Sequence, residues 1–175
     1  MNAPKRCFPP VVDAGTRLLI LGSLPGEVSL AHAQYYAHPQ NRFWELAGAV
    51  IGQDLRAQDY EGRLATLLRH GVGLWDVVAQ ARRAGSLDSS IRDHVGNDLA
   101  ALLATLPQLA AIAFNGGTAA TLGLRQLGDT AQRYAIFRLP SSSPAHTLPL
   151  ADKLAAWQAL NAVLAPRGAQ DAAVP

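Results

Sequence analysis

The chain has 175 residues and a mass of 18.5 kDa, enough for one domain with one sizeable core. Apolar residues make up 49% and charged residues 16%, a globular balance that excludes a disordered chain. Fifteen Lys and Arg against thirteen Asp and Glu leave only +2, which is compatible with a nucleic-acid partner without requiring one. Apolar runs such as 18–21 are too short to span a bilayer, so no membrane partner is expected. The opening residues MNAPKRCFPPVV lack the apolar stretch of a secretory signal. A single cysteine, Cys7, excludes an internal disulfide and any Cys-only metal or iron–sulfur site within one chain. The expected location is a reducing cytoplasm.

In chain order, residues 17–21 (RLLIL) form the first apolar run and read as a buried strand. Helical spacing follows over 43–51 and 60–69, then a second strand over 72–75 (VGLW). A helix over 98–106, a strand over 110–114 (AAIAF) and a helix over 118–127 come next. The strand 134–139 (YAIFRL) precedes a last helix over 150–164, where Leu154, Trp157, Leu160 and Leu164 make one stripe. Residues after Pro166 are small and polar, so one domain over 8–164 is expected to carry a frayed tail over 165–175. Strands that alternate with helices imply one parallel sheet covered on both faces. Ligands of such sheets sit beyond the carboxyl ends of the strands.

Four segments carry candidate chemistry. Gly22-Ser23-Leu24-Pro25-Gly26 follows the first strand, where glycines let backbone approach a ligand closely. Tyr35-Tyr36-Ala37-His38-Pro39-Gln40-Asn41-Arg42-Phe43-Trp44 combines aromatics, an amide and an arginine. That set suits stacking on a flat ring and reading its polar edge. Phe43 and Trp44 read as core anchors, whereas Tyr36 and Asn41 read as site residues, with an N-cap as the plainer role for Asn41. Asn115-Gly116-Gly117-Thr118 lies between a strand and a helix, where free N–H groups could hold an anion or Asn115 could face a ligand. Ser141-Ser142-Ser143-Pro144-Ala145-His146 offers hydroxyls of the kind that donate to phosphate, or forms an ordinary turn.

In this order the four segments resemble the uracil-DNA glycosylase superfamily, over about residues 8 to 164. Within it the chain is most similar to the hypoxanthine (deoxyinosine) DNA glycosylase branch, and next to the mismatch-specific uracil/thymine branch. The resemblance implies a three-layer α/β/α fold with a four-stranded parallel sheet and no cofactor. It also implies a partner, DNA containing a deaminated base, and a chain acting as a monomer. Most of the superfamily carries Asn or Asp where Leu24 stands, and that side chain positions the attacking water. A leucine has neither donor nor acceptor. The hypoxanthine branch shares this loss and is thought to use the Asn of H-P-x-N-x-F-W, which is Asn41 here. By the same resemblance Tyr36 would stack on the extruded base and Asn115 would read it, within a pocket that includes Gly22, Ser23 and Leu24.

The implied mechanism begins with extrusion of the nucleotide, since a base inside a duplex is unreachable. The loop of Ser141, Ser142, Ser143, Pro144 and His146 would grip the backbone, with Pro144, Ala145 or His146 filling the vacated space. Backbone N–H groups near Gly22 to Gly26 would stabilise the departing base anion. No lysine is expected near any of these motifs, which implies hydrolysis without a lyase step. Two other readings compete. A hydrolase built on Ser142 or Ser143 with His146 and Asp152 is disfavoured, because G-x-S-x-G is missing. A silent phosphate or nucleotide binder is suggested by the apolar Leu24.

Overall fold

The short strand β1 (Lys5–Arg6) precedes β2 (Leu18–Gly22), which is buried at every residue in this computed structural model describing residues 3–166. The chain then forms α1 (Glu27–His32), α2 (Phe43–Ile51) and α3 (Tyr60–Arg69) before β3 (Val72–Asp76). An antiparallel excursion follows, made of β4 (Val78–Arg82) and β5 (Arg92–Gly96). Next come α4 (Leu99–Ala104), β6 (Ala111–Asn115), α5 (Gly117–Leu127) and β7 (Ala135–Leu139). The described chain closes with α6 (Leu150–Trp157) and α7 (Asn161–Leu164). Of the expected tail, only Ala165 and Pro166 fall within the described residues.

The main sheet has the order β3-β2-β6-β7 and is parallel throughout, as the strand–helix alternation requires. Side chains of a strand alternate between faces, and the sheet divides its core accordingly. Leu18, Ile20, Val72, Leu74, Ala111 and Ala113 join one cluster with Phe43, Leu46, Leu67 and Trp157 from α2, α3 and α6. Leu19, Leu21, Ile112 and Phe114 join another with Leu99, Leu103, Ala119 and Ala120 from α4 and α5. The result is helix, sheet, helix. In the second layer the approach is close: a Cβ on Gly123 would stand 2.3 Å from Phe114, so only glycine admits this contact.

Asp59 and Asp98 cap α3 and α4 by accepting from Gly62 N at 2.7 Å and Ala101 N at 3.0 Å. The single helix expected over 150–164 is interrupted by a 3-10 turn at Gln158–Leu160. Residues three apart eclipse in a 3-10 turn, so Trp157 and Leu160 point the same way, and both are fully buried. Asn161 at the restart donates to Val50 O at 2.8 Å. A smaller antiparallel sheet, β1-β4-β5, has no counterpart in the sequence reading. Its strand β5 is exposed along its whole length and shows no apolar alternation. No helix among the described residues is long and apolar enough to cross a membrane.

Candidate functional site

From β2 the chain first crosses to β3 on one side and later arrives at β6 on the other. The carboxyl ends of β2 and β6 are therefore where the connections diverge, the place at which open α/β sheets bind ligands. Gly22 ends β2 in register with Asp76, and Asn115 ends β6 in register with Leu139. A cavity of about 610 Å³ opens there. It is lined by Gly22, Ser23 and Leu24, by Tyr36 and Asn41, by Asn115, and by Ser141, Ser142, Ser143, Pro144 and His146. The residues that the resemblance assigns to catalysis, base binding and DNA binding thus line one cavity.

In the Gly22–Gly26 loop the carbonyls are tied down. Gly22 O and Ser23 O accept from Val77 N at 2.8 Å and Val78 N at 3.0 Å. Buried Arg83 donates to Leu24 O at 3.3 Å and also to Pro25 O. In a trans peptide the N–H points opposite to the preceding carbonyl. The N–H groups of Ser23, Leu24 and Gly26 are accordingly directed away from Val77, Val78 and Arg83. Leu24 packs its side chain with Val78 and Ala81 and forms an apolar wall.

Tyr36 has φ of +53°, a backbone conformation unusual for a bulky residue. Strain of this kind costs on the order of 1–3 kcal/mol and persists only where the surroundings hold it. Here Trp44 Nε1 donates to Tyr36 O at 3.1 Å. The Tyr36 ring stacks on Phe43 at 3.9 Å with planes 14° apart, so a second ring must use its other face. Burial, with the Asp76 charge adding, lifts its phenol well above the usual range, so it stays neutral. Asn41 Oδ1 accepts from Phe43 N at 2.9 Å, but the N-cap of α2 is Arg42, so Asn41 sits one residue ahead of the cap position the sequence suggested for it. An amide oxygen has two lone pairs, so this bond leaves one free.

Asn115 is bound on both sides of its amide. Its Oδ1 accepts from Ser142 N at 2.9 Å, and its Nδ2 donates to Ser142 Oγ at 2.9 Å and Tyr36 Oη at 3.3 Å. Ser142 is fully buried, so its hydroxyl faces Asn115 rather than solvent. The neighbouring Gly116 needs φ of +100° to turn into α5. Ser141 Oγ accepts from Ser143 N at 3.1 Å, and Ser143 Oγ from Ala145 N at 3.2 Å. Both serines are half-buried, whereas Pro144, Ala145 and His146 are exposed. Among the described residues the His146 ring makes no hydrogen bond to a serine, which removes the geometric basis of a triad.

The expectation that no lysine approaches these motifs is overturned. Lys153 on α6 is buried beneath the serine loop, where Nζ donates to Ser143 O at 3.2 Å and His146 O at 2.8 Å. Its sequence distance from the loop hid this, although one helical turn past Pro149 is within reach of the loop. Burial, and then the charge of Arg42, push its ammonium below the usual range.

The sequence reading put the segment from Asp76 onward at this sheet edge but gave Asp76 no role, and it missed Arg83 and Asp88. Asp76 ends β3 directly after VGLW and lines the cavity at 4% exposure. Burial raises its carboxyl to about 7, the Asp88 charge adding and the Arg83 charge opposing. Asp88 accepts from Ser23 Oγ at 2.7 Å. A charged residue closing an apolar strand was the available signal for Asp76. Arg83 and Asp88 had none, since their segment lacks periodicity. Among the described residues no three His, Cys, Asp or Glu side chains gather as a metal cage.

Comparison with known proteins places this geometry. The model of the uracil DNA glycosylase superfamily matches residues 9–165. The chain belongs to that superfamily. It is 41% identical over 155 residues to the hypoxanthine DNA glycosylase of Methanosarcina barkeri, covering 87% of this chain and 95% of that protein. The hypoxanthine DNA glycosylase of Methanosarcina acetivorans is 42% identical over 158 residues, covering 89% and 97%. A solution NMR structure from M. acetivorans, provisionally described as a uracil DNA glycosylase, superposes with a TM-score of 0.80 at 40% identity. That match covers 92% of this chain and 99% of the other.

Proposed function

We propose that the chain is a monofunctional DNA glycosylase that extrudes a deaminated nucleotide, deoxyinosine above all, and hydrolyses its N-glycosidic bond. The carrying observation is that Asn41 enters the same cavity as the Gly22–Gly26 loop, whose Leu24 has no polar side-chain atom. Two relatives above 40% identity named hypoxanthine DNA glycosylase support the choice of base. The reading takes the chain to act as a monomer. The reading further takes the enzyme to act on DNA in the cytoplasm, without a cofactor.

In this reading Ser141 and Ser143 grip phosphate, while Pro144, Ala145 or His146 fills the gap left in the duplex. Tyr36 stacks on the extruded ring with the face that Phe43 leaves open, worth about 1–3 kcal/mol. Asn41 holds the attacking water through the lone pair that Phe43 N does not use. The amide is too weak a base to take the proton early, so acceleration comes mainly from stabilising the base as it leaves. The N–H groups of Ser23, Leu24 and Gly26, directed away from Val77, Val78 and Arg83, are the donors for that task. Asn115 is a positioning residue, joining Tyr36 to the serine loop.

The testing experiment is incubation of the protein with duplexes holding one inosine, uracil, thymine mispaired with guanine, or xanthine. Release of free hypoxanthine, with an abasic site and no strand break, is the expected result. Release of uracil or thymine alone would move the chain to the mismatch branch. Tight binding with no base released would make it a silent binder.

A further inference from the structure

Asp76 is the most unusual polar group in the molecule. Among the described residues its Oδ2 is the one buried side-chain oxygen or nitrogen without a hydrogen-bond partner. A buried polar atom left unpaired is costly, and such cases mark a group awaiting a partner. The position fits a ligand. A Cβ on Gly22 would lie 2.7 Å from Asp76 Oδ1 and 3.0 Å from Tyr36 Oη. The missing Cβ is therefore what keeps the space between these two oxygens open. The backbone beneath is fixed, since Asn97 Nδ2 donates to Asp76 O at 2.7 Å.

We propose that Asp76 is a further catalytic residue of the base pocket, acting as a neutral carboxylic acid that donates a hydrogen bond to the departing base. This rests on the glycosylase reading above. In hydrolysis the water oxygen forms a bond to C1′ while the C1′–N9 bond breaks, its electron pair leaving with the base. One water proton stays on the new C1′ hydroxyl and the other passes to solvent, and the released base takes up a proton from solvent. Asp76 keeps its own proton throughout. Its hydrogen bond to a ring nitrogen or carbonyl oxygen strengthens as negative charge spreads over the base. A carboxylate in the same place would repel that charge.

The surroundings favour the neutral acid. Asp88 faces Asp76 from the turn after β4 and disfavours a second negative charge. Arg83 opposes this, but its guanidinium is tied to the carbonyls of Leu24, Pro25 and Gly85. The other titratable neighbours, Tyr35, Tyr36 and Cys7, are all raised above their usual values by burial and stay uncharged. With its carboxyl near 7, Asp76 is protonated on the acid side and loses its donor as pH rises.

The test is single-turnover cleavage of inosine duplex between pH 6 and pH 8 by the wild type, Asp76→Asn and Asp76→Ala. An amide is the shape of the neutral acid and donates at every pH. The wild-type rate is expected to fall about tenfold from pH 6 to pH 8, as protonation of a group near 7 requires. Asp76→Asn should stay within tenfold of the wild type at pH 6 and change less than about twofold across the range. Asp76→Ala should lose about a hundredfold, the usual loss for one such donor. If the variants do not fold, binding of free hypoxanthine to the wild type serves, with affinity expected to drop about tenfold over the same range. A wild-type rate or affinity that is flat or rises with pH would overturn the role of Asp76 and leave the glycosylase reading standing. So would an Asp76→Asn profile that keeps the wild-type fall. A wild type that releases hypoxanthine at no pH would overturn both.

Discussion

Asn115→Ala separates an amide that reads the base from one that holds the site together. In the folded chain it would strip partners from Ser142 N, Ser142 Oγ and Tyr36 Oη. Ser142 is 0% exposed, so water cannot replace the lost bonds at either of its atoms. Each buried group left unpaired costs about 1–3 kcal/mol, which for the two Ser142 atoms makes a loss of about 2–6 kcal/mol for Asn115→Ala. Ser142→Ala should cost less, about 1 kcal/mol, because Asn115 Nδ2 keeps Tyr36 Oη at 3.3 Å. The double variant should then show a coupling of about 1 kcal/mol or more between the two sites. Urea unfolding of the four proteins, compared at equal m, measures all of this. Selectivity between inosine and uracil should not change, because both amide hydrogens of Asn115 are taken by Ser142 Oγ and Tyr36 Oη. An Asn115→Ala protein that loses less than about 0.5 kcal/mol and exchanges one base preference for another would refute the reasoning.

Replacing Ser141 and Ser143 together by Ala should weaken binding to inosine and normal duplexes by the same factor, since phosphate contacts carry no base information. The salt slope from fluorescence anisotropy should stay unchanged, because neutral hydroxyls release no counterions. Borohydride added during turnover should trap no protein–DNA adduct, as Lys153 Nζ is held by two loop carbonyls. An adduct that disappears in Lys153→Met would reveal a lyase step.

The parallel sheet was legible because its four strands are short apolar runs punctuated by Gly, Pro and Ser. Their observed positions differ from the expected ones by a residue or so at the ends. The antiparallel arm was not legible: β1 has two residues, and β5 (RDHVG) is polar and exposed. Helix α1 (EVSLAH) is also short, with only Ser29 buried. For the site, the loops stood out by residue type and their convergence followed from the sheet. What those side chains bond to was invisible. Ser142 looks like Ser141 and Ser143 in sequence, yet only Ser142 turns inward to Asn115. Asp76, Arg83 and Asp88 act through burial and mutual charge, and these exist only after folding.

The most direct test of the account is the rate at which saturating Asn41→Ala protein cleaves inosine duplex in a single turnover. Loss of the bond from Phe43 N to Asn41 Oδ1 should cost about 1 kcal/mol of stability, which a folded protein survives. If Asn41 also orients the water, cleavage should fall by about two orders of magnitude or more while binding to the duplex is retained. Asn41→Asp should keep part of the rate, since a carboxylate also holds water, though its charge opposes the departing anion. Near-normal cleavage by a folded Asn41→Ala protein would contradict the account, leaving Asn41 only the bond from Phe43 N and taking it out of the chemistry.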